Sequence, residues 1–138
     1  MKKFLILYTA PVTAQEQMDV SPEEMKKGME PWFAWFKKME KALVDGGTPL
    51  VNGMHFTKDD VSHGKTEITG YSIVQAENWE DLKELIVDHP HYMVPNSGLE
   101  VFEMMPMMWE YLDYLWVFSY SFLFFWGLSK KLNVNHLE

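Results

Sequence analysis

Apolar and polar positions divide the first part of the chain into alternating strands and helices. Residues 3–8, Lys3-Phe4-Leu5-Ile6-Leu7-Tyr8, form a continuous apolar run, the pattern of a central strand covered on both faces. A loop containing Pro11, Thr13 and Gln15 follows. Ser21-Pro22-Glu23-Glu24 predicts a helix start, with Ser as N-cap, Pro at the first helical position and a Glu reaching back to the cap. Met25, Met29, Trp32, Phe33, Phe36, Met39 and Leu43 then recur at helical spacing. Pro31 lacks an N–H and crowds the preceding turn, so a kink near Lys27 or a restart is expected. Asp45-Gly46-Gly47 is read as the end of this helix, with glycine supplying positive φ.

Residues 50–56 predict the second strand, 57–65 a polar hairpin loop with Asp59, Asp60, His63 and Gly64, and 66–76 a third strand rich in β-formers. Asn78 caps a second helix whose buried stripe is Trp79, Leu82, Leu85 and Ile86, and His89-Pro90 stops it. Residues 99–105 make the last strand, closed by Pro106. The order β-α-β-β-α-β defines a ferredoxin-like α+β domain with an antiparallel sheet, spanning residues 1–107. Both helices fall on one face of such a sheet. The other face needs cover, and a second copy of the sheet is the usual solution, so a homodimer is expected.

Charge and composition narrow the function. Twelve lysines and no arginine face twenty acids, for a net charge of −8. No basic face is available to displace counterions from phosphates, so nucleic acid is not an expected partner. Bidentate clamping of a carboxylate or phosphate by a guanidinium is impossible, which disfavours highly charged anionic substrates. The absence of cysteine removes disulfides, thiolate nucleophiles and Cys-ligated metals, and suits a cytoplasmic protein. Met1-Lys2-Lys3 before a short apolar run looks like a secretory signal, but the run is too short for an h-region.

Several segments resemble a known family. Besides the opening strand, they are Ser21-Pro22-Glu23-Glu24-Met25 leading into Trp32-Phe33-Ala34-Trp35-Phe36, then Val44-Asp45-Gly46-Gly47-Thr48-Pro49 and Ile68-Thr69-Gly70-Tyr71-Ser72-Ile73-Val74. The closing residues 98–107 extend the match. In this order and spacing they resemble the YCII-related (DGPF-type) proteins over roughly residues 1–107. The resemblance implies a dimeric α/β-barrel in which two sheets pack across a two-fold axis and each subunit keeps a pocket between sheet and helices. Muconolactone isomerases and small metal-independent monooxygenases share that architecture. Some YCII proteins carry a His on the first helix partnered by an Asp. This chain has no histidine there, so that pair does not carry over, and fold alone does not assign function.

The polar residues left to consider are few. A Pro-His like Pro90-His91 occurs in relatives of this subtype, and His91 is the leading candidate for an acid–base group, with Asp88 to orient it. The alternative is that Asp88 and His89 merely end the helix and His91 packs. Tyr8, Trp32, Phe36 and Tyr71 are predicted to face the space between the sheet and the first helix, as an aromatic-lined pocket for a small, largely apolar ligand or simply as core. His55 and His63 with Asp59 and Asp60 match no metal-ligand spacing, and no metal or cofactor is expected. The run Met104-Met105-Pro106-Met107-Met108 is read as flexible core filling rather than a soft-metal box. The reading that competes with a ligand site is a non-catalytic dimerisation or partner-binding module.

Residues 108–138 form an apolar aromatic tail. Tyr114, Trp116, Phe118, Tyr120, Phe122, Phe124 and Trp126 occupy successive even positions, a strand period. The uncharged run 114–128 is 15 residues, short of the roughly 20 a bilayer needs, so a membrane partner is not expected. Three readings stand, in this order: a strand or interface element; an accidental extension, since every residue of 114–126 except Val117 has a codon beginning with T; and a tail anchor.

Overall fold

A computed structural model describes residues 1–64 and 67–107. The alternating aromatics of the tail lie outside the described residues. Strand β1 (Lys2–Thr9) is followed by a short helix α1 (Ala14–Met18) and the long helix α2 (Pro22–Lys38). Next come β2 (Leu43–Asp45), a small hairpin of β3 (Met54–Phe56) and β4 (Val61–His63), and β5 (Ile68–Ala76). Helix α3 (Trp79–Ile86), a 3-10 turn (Pro90–Met93) and β6 (Gly98–Met104) complete the order. The main sheet runs β2-β5-β1-β6 with every neighbouring pair antiparallel. Counted along the chain its strands are second, third, first, fourth, which is the ferredoxin-like order. The first compact unit covers Met1–Met104.

The local signals explain most of these elements. Ser21 accepts the Glu24 N–H while the Glu24 carboxylate accepts from the Ser21 N–H and hydroxyl, the reciprocal cap expected from the sequence. Thr13 and Glu16 form a second such box and turn the supposed loop at Pro11–Gln15 into α1. Helix α2 continues through Pro31 without a restart. It ends at Lys38, well before Gly47. The sheet's second strand is therefore Leu43–Asp45, not residues 50–56, and the supposed loop 57–65 holds β4, which pairs with β3 away from the main sheet. The positive φ expected of the glycines occurs at Gly47, where it turns the chain after β2 rather than capping a helix.

β1 is central, yet only one of its faces is fully buried within the chain. Phe4, Ile6 and Tyr8 oppose Val74, Ser72 and Gly70 of β5, and Trp35, Met39 and Leu82 pack over that face. Burying a side chain of this size stabilises by about 1.5–3 kcal/mol, so this layer dominates the stability of the domain. The opposite pleat carries Leu5, Leu7 and Ile73, half-buried, with Phe102 at 53% exposure and Met104 at 40%.

Candidate functional site

At the end of β1 the buried layer gives way to a cavity of about 550 Å³, within the size range of small-ligand sites. Tyr8 comes from β1, Trp32 and Phe36 from α2, Thr48 from the loop after β2, Thr69 from β5 and His91 from the 3-10 turn. Gly28 on α2 also lines it, and a Cβ there would have no neighbour within 4 Å. A side chain added at this helix-interior glycine would therefore extend into open space beside the cavity.

Tyr8 is the centre of the aromatic lining. Its ring meets Trp32 edge-on at 5.4 Å, stacks on His91 at 5.1 Å and tilts against His89 at 5.1 Å. Gly70 lies opposite on β5, where an added Cβ would come within 2.8 Å of the Tyr8 ring, so the ring occupies the space a side chain would take. Burial pushes the phenol up to about 12, against a smaller opposing influence from the Ser72 hydroxyl. Tyr8 and Ser72 are nonetheless not joined by a hydrogen bond of standard geometry.

His91 is 3% exposed and is held on both sides. Its backbone N–H donates to His89 Nδ1 at 3.1 Å, its carbonyl accepts from the Ser97 hydroxyl at 2.8 Å, and its Nε2 lies 2.9 Å from the Thr9 carbonyl oxygen. A carbonyl only accepts, so the Nε2 carries the proton. Burial holds the ring below its ordinary pKa, opposed by that same bond to Thr9. The neutral ring therefore keeps its lone pair on Nδ1, which makes no hydrogen bond within the described residues.

Asp88 does not orient His91. Its carboxylate takes the Lys38 ammonium at 2.7 Å, which holds it below its usual range, and it is absent from the cavity lining. The Thr9 carbonyl takes the orienting place instead. A backbone group leaves no trace in residue types, so the sequence could not have revealed it. Tyr71 meets its expectation in part. It borders the cavity, but it pairs with Leu7 on the pleat opposite Tyr8, and its hydroxyl donates to Asp45 at 3.3 Å. The Asp45 charge raises the Tyr71 pKa. Tyr8, Trp32 and Phe36 do come together with His91 around one space.

His89 is the residue that sequence reasoning passed over. It is 2% exposed, with its ring 4.3 Å from that of Trp35 and 5.3 Å from that of Trp32. Its Nδ1 accepts from His91, so its own proton sits on Nε2, which is buried without a partner. Burial pushes it down to about 4, aided by nearby His91 and opposed by Asp88. The sequence signal was present in His89-Pro90: a side chain with an acceptor one residue before a helical proline is in a capping position.

Among the described residues Glu24 is the one lining residue with a formal charge, and its carboxylate is committed to Ser21, which holds it below the usual range. Among the described residues no group of His, Asp and Glu is placed to hold a metal ion, and no helix is long and apolar enough to cross a membrane.

No family model matches the chain, and no curated protein matches it. Among solved structures, the chain is similar to 5-chloro-2-hydroxyhydroquinone dehydrochlorinase (TftG) from Burkholderia phenoliruptrix AC1100, in complex with 2,5-dihydroxybenzoquinone. The likeness covers 78% of this chain and 96% of that one, at 15% identity and a TM-score of 0.47. A likeness of that depth says nothing about chemistry. The strand order and the cavity define what this molecule is, a ferredoxin-like domain with an aromatic-walled pocket beside a fixed histidine.

Proposed function

We propose that this domain binds a small, largely apolar ligand in the cavity between the sheet and α2, with His91 as its acid–base group. The observation that carries the reading is the cavity itself. A well-filled core leaves few voids larger than a water, whereas this one is about 550 Å³ and is bordered by a histidine whose Nδ1 is uncommitted. A base must be neutral to accept a proton, and burial favours the neutral ring.

Filling the cavity tests this directly. Gly28→Leu extends a side chain into open space and replaces the poorest non-proline helix former. Thermal stability should hold or rise, since leucine is favoured over helical glycine by about 0.5–1 kcal/mol. Binding of the uncharged fluorescent probe N-phenyl-1-naphthylamine should weaken by about tenfold or more, equivalent to about 1.4 kcal/mol. Unchanged probe affinity in a folded Gly28→Leu protein would remove the cavity as the ligand site.

A second reading, assembly through the sheet, has its own observation. Leu5, Leu7, Ile73, Phe102 and Met104 form an apolar strip on the pleat that no helix of the described domain covers. We propose that a second copy of the chain packs there, consistent with the dimeric architecture implied by the resemblance to YCII-related proteins. In sedimentation at micromolar concentration the full chain should run as a dimer. Leu5→Glu with Phe102→Glu, paired neighbours on that pleat, should convert it to a folded monomer. A monomeric parent protein would sink this reading.

A further inference from the structure

The polar groups bordering the cavity fix what kind of ligand it can take. The Gln17 amide donates to the Val12 carbonyl at 3.0 Å, and the Thr69 hydroxyl donates to the Tyr8 carbonyl at 3.3 Å. The Tyr8 phenol oxygen is buried, with no hydrogen-bond partner in the described protein. Lysine is absent from the lining among the described residues, and the chain has no arginine. Trp32 and Thr48, each able to donate, also border the cavity; the Nδ1 of His91 is the acceptor whose tautomer is fixed by the bond to Thr9.

The tautomer is not free to adapt. Moving the proton to Nδ1 would set the Nε2 lone pair against the Thr9 carbonyl oxygen at 2.9 Å, replacing a hydrogen bond by a repulsion between two acceptors. Nor can the ring turn over without losing that bond, because its stacking on Tyr8 and its backbone bonds to His89 and Ser97 hold it in place.

We infer that the cavity selects uncharged ligands that donate a hydrogen bond, such as an apolar ring bearing a hydroxyl, and rejects carboxylates of the same shape. A carboxylate brings acceptors only. It would meet the lone pair of His91 with no cation to offset its desolvation, and Glu24 adds a like charge at the wall. A hydroxyl donates to the Nδ1 of His91, and its proton then lies on the path to that nitrogen if chemistry follows.

This inference rests on the proposed ligand site, and the experiment separates the two. Four probes of one shape are titrated into the full-length protein at pH 7.5 by NMR: naphthalene, 2-naphthol, 2-methoxynaphthalene and 2-naphthoate. The expected order puts 2-naphthol at least tenfold tighter than both its methyl ether and the carboxylate, with naphthalene near the ether. His91→Phe, which keeps a ring against Tyr8 and removes the acceptor, should bring 2-naphthol down to the level of the ether. If that variant does not fold, the parent series still decides. Equal affinity for naphthol and ether, or a carboxylate as tight as naphthol, overturns the inference while leaving the site. Failure of all four to bind overturns both.

Discussion

As pH falls from 6.5 to about 4, the folded protein should lose about 3 kcal/mol of stability through His89 alone. The folded ring resists its proton down to about 4, because it is enclosed by Trp32, Trp35 and Tyr8 and its Nδ1 is taken by the His91 N–H. In the unfolded chain the same ring protonates near its ordinary 6.5. Over that window the unfolded state binds more protons, so acid favours it. The stability is fully present above 6.5 and is lost as pH falls toward the folded value. His91, also held low by burial, adds in the same direction. Urea unfolding in half-unit pH steps would show the slope, approaching about 1.4 kcal/mol per pH unit at its steepest. His89→Asn keeps an acceptor in the capping position and removes the His89 titration, so it should make the profile between pH 6.5 and 5 clearly shallower than the parent's, leaving the smaller share of His91. A parent protein equally stable at pH 7 and pH 5 would mean His89 is not held neutral.

That acid sensitivity belongs to the part of the site the sequence half revealed. The helix starts at Ser21 and Asn78, the central strand and the final strand were legible because each has a local cause: a cap, an apolar run, a stop. The ferredoxin-like order followed from them. The second strand was misplaced because Leu43 continues the helical spacing of α2, while the chain in fact leaves the helix after Lys38 and pairs Leu43 with Val74. Periodicity cannot separate a helical position from a strand that begins in the same phase. Tyr8, Trp32 and Phe36 could be read as pocket residues because strand and helix phases place them. Tyr71 borders the cavity as well, but its place on the pleat opposite Tyr8 follows from its pairing with Leu7, which the residues of β5 alone do not show. Asp88 neighbours His89 and His91 in sequence, whereas its partner Lys38 is 50 residues away. Long-range ion pairs and backbone acceptors are decided by the assembled fold.

Replacing Gly47 by alanine should cost about 3–5 kcal/mol, the largest effect expected of any single methyl group in this protein. Two causes combine. Gly47 has φ +70, a conformation that L side chains adopt at a cost of about 1–2 kcal/mol. Its added Cβ would also lie 1.6 Å from the Tyr71 carbonyl oxygen, a backbone atom of β5 that cannot rotate away. Relief requires the segment 46–49 to separate from β5. That motion would break the Gly47 N–H bond to Asp45 Oδ1 at 2.8 Å and the bridge between Pro49 and Gly70. The same segment forms one wall of the cavity, so stability and ligand binding should fall together. Gly46 supplies the control. Its Cβ would meet the Phe36 ring at 3.6 Å and Leu43 Cδ2 at 4.0 Å, ordinary contacts, so Gly46→Ala should change stability by no more than about 1 kcal/mol. Urea midpoints for the two variants decide the matter. A Gly47→Ala protein within about 1 kcal/mol of the parent would show that the turn after β2 relaxes freely, and the close approach to Tyr71 would then not shape the cavity wall.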